Sequence, residues 1–200
     1  MEHINFSRAD FFKSTPDLQG LPPDKGSEVA FAGRSNAGKS SSLNALTNNA
    51  KLARTSKTPG RTRDLVFFSL GSNKYLVDLP GYGFAKAPEK VRKKWEETFT
   101  AYMSTRDSLK GIVLLMDIRH PLNEFDKKMI EWASSNTLPL HILLTKADKL
   151  KRGAAQNTLL TVKRKLLIFG NISIQTFSSL KKQGLKELKQ KLNEWYGGIY

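Results

Sequence analysis

Cysteine is absent from all 200 residues. This excludes disulfides, thiolate metal sites and a cysteine nucleophile, and it suits a reducing compartment. Long apolar runs are absent too. No stretch approaches the roughly 18 residues that a membrane helix requires. The first twenty residues carry Glu2, Asp10 and Asp17 and no apolar segment, unlike a secretion signal. A cytoplasmic protein that makes no membrane contact is the expectation. Histidine is scarce, at three. His3 and His141 have no Cys, Asp or His partner at ligand spacing, which argues against zinc. Ser41 and Ser42 lack the GxSxG setting of a serine nucleophile. Acidic residues are also in short supply. There are 18 Asp+Glu against 33 Lys+Arg, a net charge of +15. A chain this basic is suited to polyanions.

What is present describes one globular domain. The composition, 39% hydrophobic and 26% charged, supports an ordinary core and excludes general disorder. No internal repeat or low-complexity tract interrupts it. Residues 1–27 are polar and end in Leu21-Pro-Pro-Asp-Lys-Gly26, which reads as an extension packed on the domain. Residues 28–197 form the domain proper, and 198–200 a short tail. Apolar runs of strand length recur at 29–32, 65–70, 75–79, 112–116, 140–144 and 172–177. Helical patterns lie between them, at 40–48, 88–106, 122–135, 154–169 and 182–196. Alternating strands and helices imply crossovers, a mostly parallel sheet and helices on both faces. Gly71-Ser-Asn-Lys74 is a tight turn, so the runs 65–70 and 75–79 form an antiparallel hairpin at the sheet edge.

Three motifs carry chemistry. Gly33-Arg34-Ser35-Asn36-Ala37-Gly38-Lys39-Ser40 matches GxxxxGK[ST] and sits between a strand and a helix. Loop N–H groups and the helix N-terminus there converge on a phosphate chain. Lys39 reaches the β/γ-phosphates and the Ser40 hydroxyl ligates Mg²⁺. Asp78-Leu79-Pro80-Gly81 closes a strand. A carboxylate there holds Mg²⁺ through water, and the Gly81 N–H faces a γ-phosphate. Thr145-Lys146-Ala147-Asp148 follows a further strand. The Asp148 carboxylate accepts from both guanine N1–H and N2–H₂, a donor pair that adenine lacks. Lys146 lays its alkyl stem along the base. This counts against a P-loop kinase or ATPase. All three motifs fall at carboxyl ends of strands, where ligands bind open α/β sheets. Phe177-Ser178-Ser179 follows the last strand, where it either places polar groups near guanine O6 or makes a plain turn. Residues 54–64 carry Thr55, Thr58 and Thr62, one of which ligates Mg²⁺ in a first switch segment.

GRSNAGKS, KTPGRT, DLPGYG, MDIRHP and LLTKAD occur in the order and spacing of the EngB (YihA/YsxC) family. The resemblance covers essentially the whole chain. It implies a Ras-like P-loop GTPase fold with a six-stranded mixed sheet, GTP/GDP and Mg²⁺ binding, and a role in late assembly of the large (50S) ribosomal subunit. Loss of such proteins is associated with division and septation defects. By motif, Ser40 and Thr62 are the implied Mg²⁺ ligands, with Thr62 preferred to Thr58. Lys39, Thr62 and Gly81 are the implied catalytic positions. Gly60, Arg61, Thr62, Arg63 and Asp64 join the implied nucleotide set.

The chain departs from the Ras pattern at two positions. Tyr82 stands where Ras-like proteins carry a water-orienting Gln, which implies slow hydrolysis. Thr145 replaces an Asn, and its hydroxyl keeps some bonding to the P-loop. Asn36 resembles the potassium-ligating Asn of cation-activated relatives, which implies K⁺ as a second cation. His120, in Asp117-Ile-Arg-His-Pro121, reads as a loop anchor or partner contact rather than a base. Trp95, Phe99, Tyr102 and Met103 fall at core-facing helical spacing. Residues 145–200 hold 12 Lys+Arg and 3 Asp+Glu, a net of +9. Ribosomal RNA is the polyanion that the family implies. The alternative is a GTP-regulated protein-binding module in cell division with little RNA contact. A monomer is expected.

Overall fold

The structure is a computed structural model that describes residues 4–54, 64–82 and 89–197, with backbone alone for 89–92 and 94–96. Its strands are β1 (Asp10–Thr15), β2 (Ser27–Gly33), β3 (Leu65–Ser69), β4 (Lys74–Asp78), β5 (Leu109–Asp117), β6 (Leu140–Thr145) and β7 (Ile172–Thr176). Its helices are α1 (Lys39–Thr47), α2 (Glu89–Thr105), α3 (Glu124–Ser135), α4 (Arg152–Lys165) and α5 (Leu185–Gly197). They form one sheet in the order β1-β3-β4-β2-β5-β6-β7. From β4 through β2 and β5 to β7 every pair is parallel, while β3 is antiparallel to both β1 and β4. The α/β class and the hairpin are as the sequence indicates.

The strand count is not. The sheet has seven strands rather than six, because Asp10–Thr15 of the extension pairs along β3. β3 is therefore an inner strand, and β1 forms the edge. Ser14 Oγ also donates to Asp64 Oδ2 at 2.8 Å, at the entry to β3.

Side chains alternate across the sheet, as the pleat requires. Val29, Phe31, Val113 and Leu115 meet Leu43 and Leu46 of α1 and Leu188 and Leu192 of α5. Ala30, Ala32, Ile112 and Leu114 face Tyr102 of α2, Met129 and Ile130 of α3, and Val162 of α4. Fully burying one such Leu or Ile stabilises by about 1.5–3 kcal/mol. Phe6 joins the α1/α5 side, and the Ile4 amide donates to Asn193 Oδ1 at 2.9 Å.

A polar knot ties the extension to the domain at the amino end of β2. The Glu28 carboxylate is fully buried. It accepts from Tyr102 Oη at 2.8 Å and pairs with the Arg106 guanidinium. Arg106 also donates to the Pro22 carbonyl at 2.9 Å, and Asp24 accepts from the Asp107 and Ser108 amides. Burial, then the Glu28 charge, holds the Tyr102 phenol well above its usual range, so it remains a donor.

Candidate functional site

β2, β4, β5 and β6 all present their carboxyl ends at the edge where the P-loop lies. The loop runs from Gly33 to the first turn of α1. Gly33 passes so close to β5 that a Cβ would sit 2.8 Å from the Leu115 carbonyl oxygen. Gly38, at the helix N-cap, takes φ +95°, open to glycine and strained for other residues. Asn36 also has positive φ, at 66°. The first turn holds Lys39 and Ser40, and the Ala37 amide closes on the Arg34 carbonyl at 2.9 Å.

Asp78 ends β4 beside this loop. Its carboxylate is buried and pairs with Lys39 Nζ. Leu79 and Pro80 are buried behind it. Gly81 lies against Ser35 of the P-loop. Tyr82 then bridges the P-loop backbone: its carbonyl accepts from the Ser35 amide at 2.9 Å and its amide donates to the Gly33 carbonyl at 3.3 Å. The Tyr82 side chain turns inward. Its hydroxyl donates to Asp126 Oδ1 at 2.6 Å, inside the capping box that Asn123 and Asp126 form at the start of α3. Burial pushes both the Tyr82 phenol and the Asp126 carboxyl upward. The position after the DxxG glycine thus holds a buried anchor.

The Thr145–Asp148 motif leans on the same loop. Thr145 Oγ1 donates to the Ala37 carbonyl at 2.6 Å, with the Met116 carbonyl at 3.0 Å. Lys146 adopts φ 58° and extends Nζ to the Asn36 carbonyl at 2.7 Å and Asp117 Oδ2 at 3.0 Å. Asp117 also accepts from the Arg119 guanidinium, Nε to Oδ1 at 2.9 Å and Nη2 to Oδ2 at 2.6 Å. Hydrogen bonds from Arg119, then Lys146, hold the Asp117 carboxyl well below the usual range against the push of burial. Asp148 accepts from Ser178 Oγ at 2.5 Å, and the Ala147 amide donates to the Phe177 carbonyl at 3.1 Å. Ser178 is wholly buried, and Ser179 beside it is half-buried.

The structure therefore brings together residues 33–40, 78–81, 145–148 and 177–179. Asp64 is elsewhere: it sits two strands from β2 and bonds to Ser14. Gly60, Arg61, Thr62 and Arg63, with Thr55 and Thr58, lie outside the described residues, as do the side chain of Trp95 and the tail 198–200. Phe99, Tyr102 and Met103 are core residues, and His120 is exposed in its loop. Asp117 and Arg119, in the DIRHP run at the end of β5, lie outside the three motifs yet join this edge through Lys146. Ser178, expected either near guanine O6 or in a plain turn, has its hydroxyl bonded to Asp148.

Mg²⁺ would suit this donor set. Ser40 and Asp78 offer hard oxygens, and the buried Asp78 carboxylate carries one countercharge, from Lys39. The cation would supply positive charge at phosphate oxygens.

A sequence profile of the 50S ribosome-binding GTPase family matches residues 28–146. Two proteins named "probable GTP-binding protein EngB" are close in sequence. The one from Enterobacter sp. (strain 638) is 54% identical over 100% of this chain and 96% of its own. The one from Idiomarina loihiensis is 53% identical over 100% and 97%. Among solved structures, a probable GTP-binding protein engB superposes with a TM-score of 0.70 at 21% identity, over 86% of this chain and 100% of that one. Era, solved with MgGDPNP and nucleotides 1506–1542 of 16S ribosomal RNA, superposes at 0.65 and 21% identity, over 86% and 57%. At such identities the structures speak for the fold.

Proposed function

This chain belongs to the EngB family of GTP-binding proteins, and from that premise we propose that it is a slow GTPase switch acting in late assembly of the 50S subunit. The observation that carries the reading is the convergence of three loops on one sheet edge. Lys39 pairs with Asp78, Thr145 holds the Ala37 carbonyl, and Ser178 orients Asp148. In this reading residues 33–40 cradle the phosphates, Asp148 reads guanine, and Ser40 and Thr62 hold Mg²⁺. Slow turnover follows from Tyr82, whose side chain is committed to Asp126 and supplies no amide to a water.

K⁺ would ligate at Asn36 and lend positive charge to the β/γ-phosphates in place of an arginine finger. GTP turnover in KCl is then expected to exceed that in NaCl; equal rates would remove K⁺ from the reading.

Charge supports a ribosomal RNA partner. Nine cations lie between residues 149 and 186: Lys149, Lys151, Arg152, Lys163, Arg164, Lys165, Lys181, Lys182 and Lys186. No Asp or Glu falls in that interval. Lys163, Arg164 and Lys165 end α4 beside exposed Leu167 and Ile168, and among the described residues none of the three has an ion-pair partner. A division role through proteins is favoured by a different feature, the exposed Phe11 and Phe12 on edge strand β1. The deciding experiment is co-sedimentation with 50S assembly intermediates under GTP, GDP and no nucleotide. GTP-dependent binding is expected. Nucleotide-independent or absent binding would overturn the ribosomal switch.

A further inference from the structure

Asp117 lies outside the three motifs, yet it is the most heavily bonded carboxylate at this edge. It takes the Arg119 amide at 3.1 Å, the Arg119 fork at 2.9 and 2.6 Å, and Lys146 Nζ at 3.0 Å. It ends β5 directly opposite Thr145 in the β5–β6 register. Lys146 is itself costly to place. Its φ of 58° is a strained conformation for a non-glycine residue, maintained only where the surroundings over-determine it. Two of its three ammonium donors are fixed, one on the Asn36 carbonyl and one on Asp117. The chain Arg119–Asp117–Lys146–Asn36 thus joins β5, β6 and the P-loop. A lone surface pair fixes little, but a forked Arg–carboxylate pair in a network is geometrically stricter.

We propose that Asp117 is a positioning residue for nucleotide binding, holding the Lys146 stem as the platform on which the guanine base rests, with Arg119 locking the Asp117 carboxylate in place. The assignment rests on the GTP-binding reading above. It makes a prediction opposite to simple electrostatics. Removing a negative charge near a polyphosphate site should tighten nucleotide binding or leave it unchanged. Loss of the platform weakens it.

The test is a double-mutant cycle with mant-GDP and mant-GTP, using Asp117→Asn, Lys146→Met and the pair. Asp117→Asn should raise both dissociation constants about tenfold, with kcat within about twofold at saturation. In the Lys146→Met background the same change should cost less than about twofold, because its route of action is already gone. Asp117→Ala should behave alike, and melting curves should keep each variant folded at the assay temperature. Additive effects, unchanged or tighter binding in Asp117→Asn, or a fall in kcat with KM unchanged would overturn the assignment to Asp117 alone. Wild-type protein that binds no guanine nucleotide would overturn it together with the reading beneath it.

Discussion

Asp148 accepts a hydrogen bond at 2.5 Å from the buried Ser178 hydroxyl before any base arrives. Ser178 holds Oδ1, and Oδ2 lies 3.9 Å from Lys149 Nζ; in the proposed reading Oδ2 is the oxygen that turns to guanine. Asp148→Asn should weaken GTP by roughly 10- to 100-fold, since hydrogen bonds to charged groups contribute about 1.5–3 kcal/mol. It should gain xanthosine triphosphate, whose extra carbonyl accepts from the amide. Titration of both nucleotides checks this, and unchanged GTP affinity would count against Asp148 as base reader. A second residue acts on stability. His141 on β6 is buried between Ser173 Oγ at 2.7 Å and Gln175 Oε1 at 2.8 Å, and burial pushes its imidazole down to about 4. The unfolded chain therefore binds a proton near pH 6.5 that the folded protein refuses until about pH 4. Stability contributed by neutral His141 is complete above pH 6.5 and is lost as pH falls through that window, by on the order of 3 kcal/mol. Urea melts should show that slope in wild type and not in His141→Gln. Equal slopes would mean that other groups set the acid limit.

The hairpin and the helices could be read from sequence because periodicity and turn chemistry fix them locally. Gly71, Ser72 and Asn73 all take positive φ, as that turn demands. β1 left no comparable trace. In Asp10–Thr15 only Thr15 is buried, so the strand is held by backbone pairing to β3 rather than by a hydrophobic face. α4 ends at Lys165, not at Phe169, because Leu166 turns into the core while Leu167 and Ile168 face outward. At the site, the three motifs were legible because backbone geometry and phosphate chemistry constrain them together. The inward turn of Tyr82 and the Asp117 network depend on which side chains meet across strands. The knot around Glu28 is of that kind, joining the extension, β2 and the end of α2. Removing one partner of a buried pair leaves a charge uncompensated, so Arg106→Ala should destabilise by about 3–5 kcal/mol. Arg106→Lys should lose less. Chemical denaturation of both measures it, and a loss below about 1 kcal/mol would show that water replaces the guanidinium.

Across the whole molecule, the cations form two groups. Lys163, Arg164 and Lys165 close α4 at the end away from the base loop, whereas the Lys181 amide donates to Ser178 Oγ, adjoining Asp148. If the first group meets RNA phosphates, log affinity for 50S precursors should fall linearly with log salt, at about −0.7 to −0.9 per phosphate neutralised. Lys163→Glu with Lys165→Glu should flatten that slope and weaken particle binding without altering GTP affinity. The Lys181/Lys182 reversal should disturb both. Filter binding across a salt series decides, and an unchanged slope in the α4 variant would return those residues to plain solvation. The bond from the Ile4 amide to Asn193 has a consequence of another kind. It spans 189 positions, so the two ends of the described fold adjoin. That proximity makes relocation of the chain's break a test of the architecture. A circular permutant with its original ends joined by a short linker and new ones opened at the exposed 71–73 turn should rebuild the same sheet, with β4 leading and β3 last. The fold is closed in space although the gene is linear.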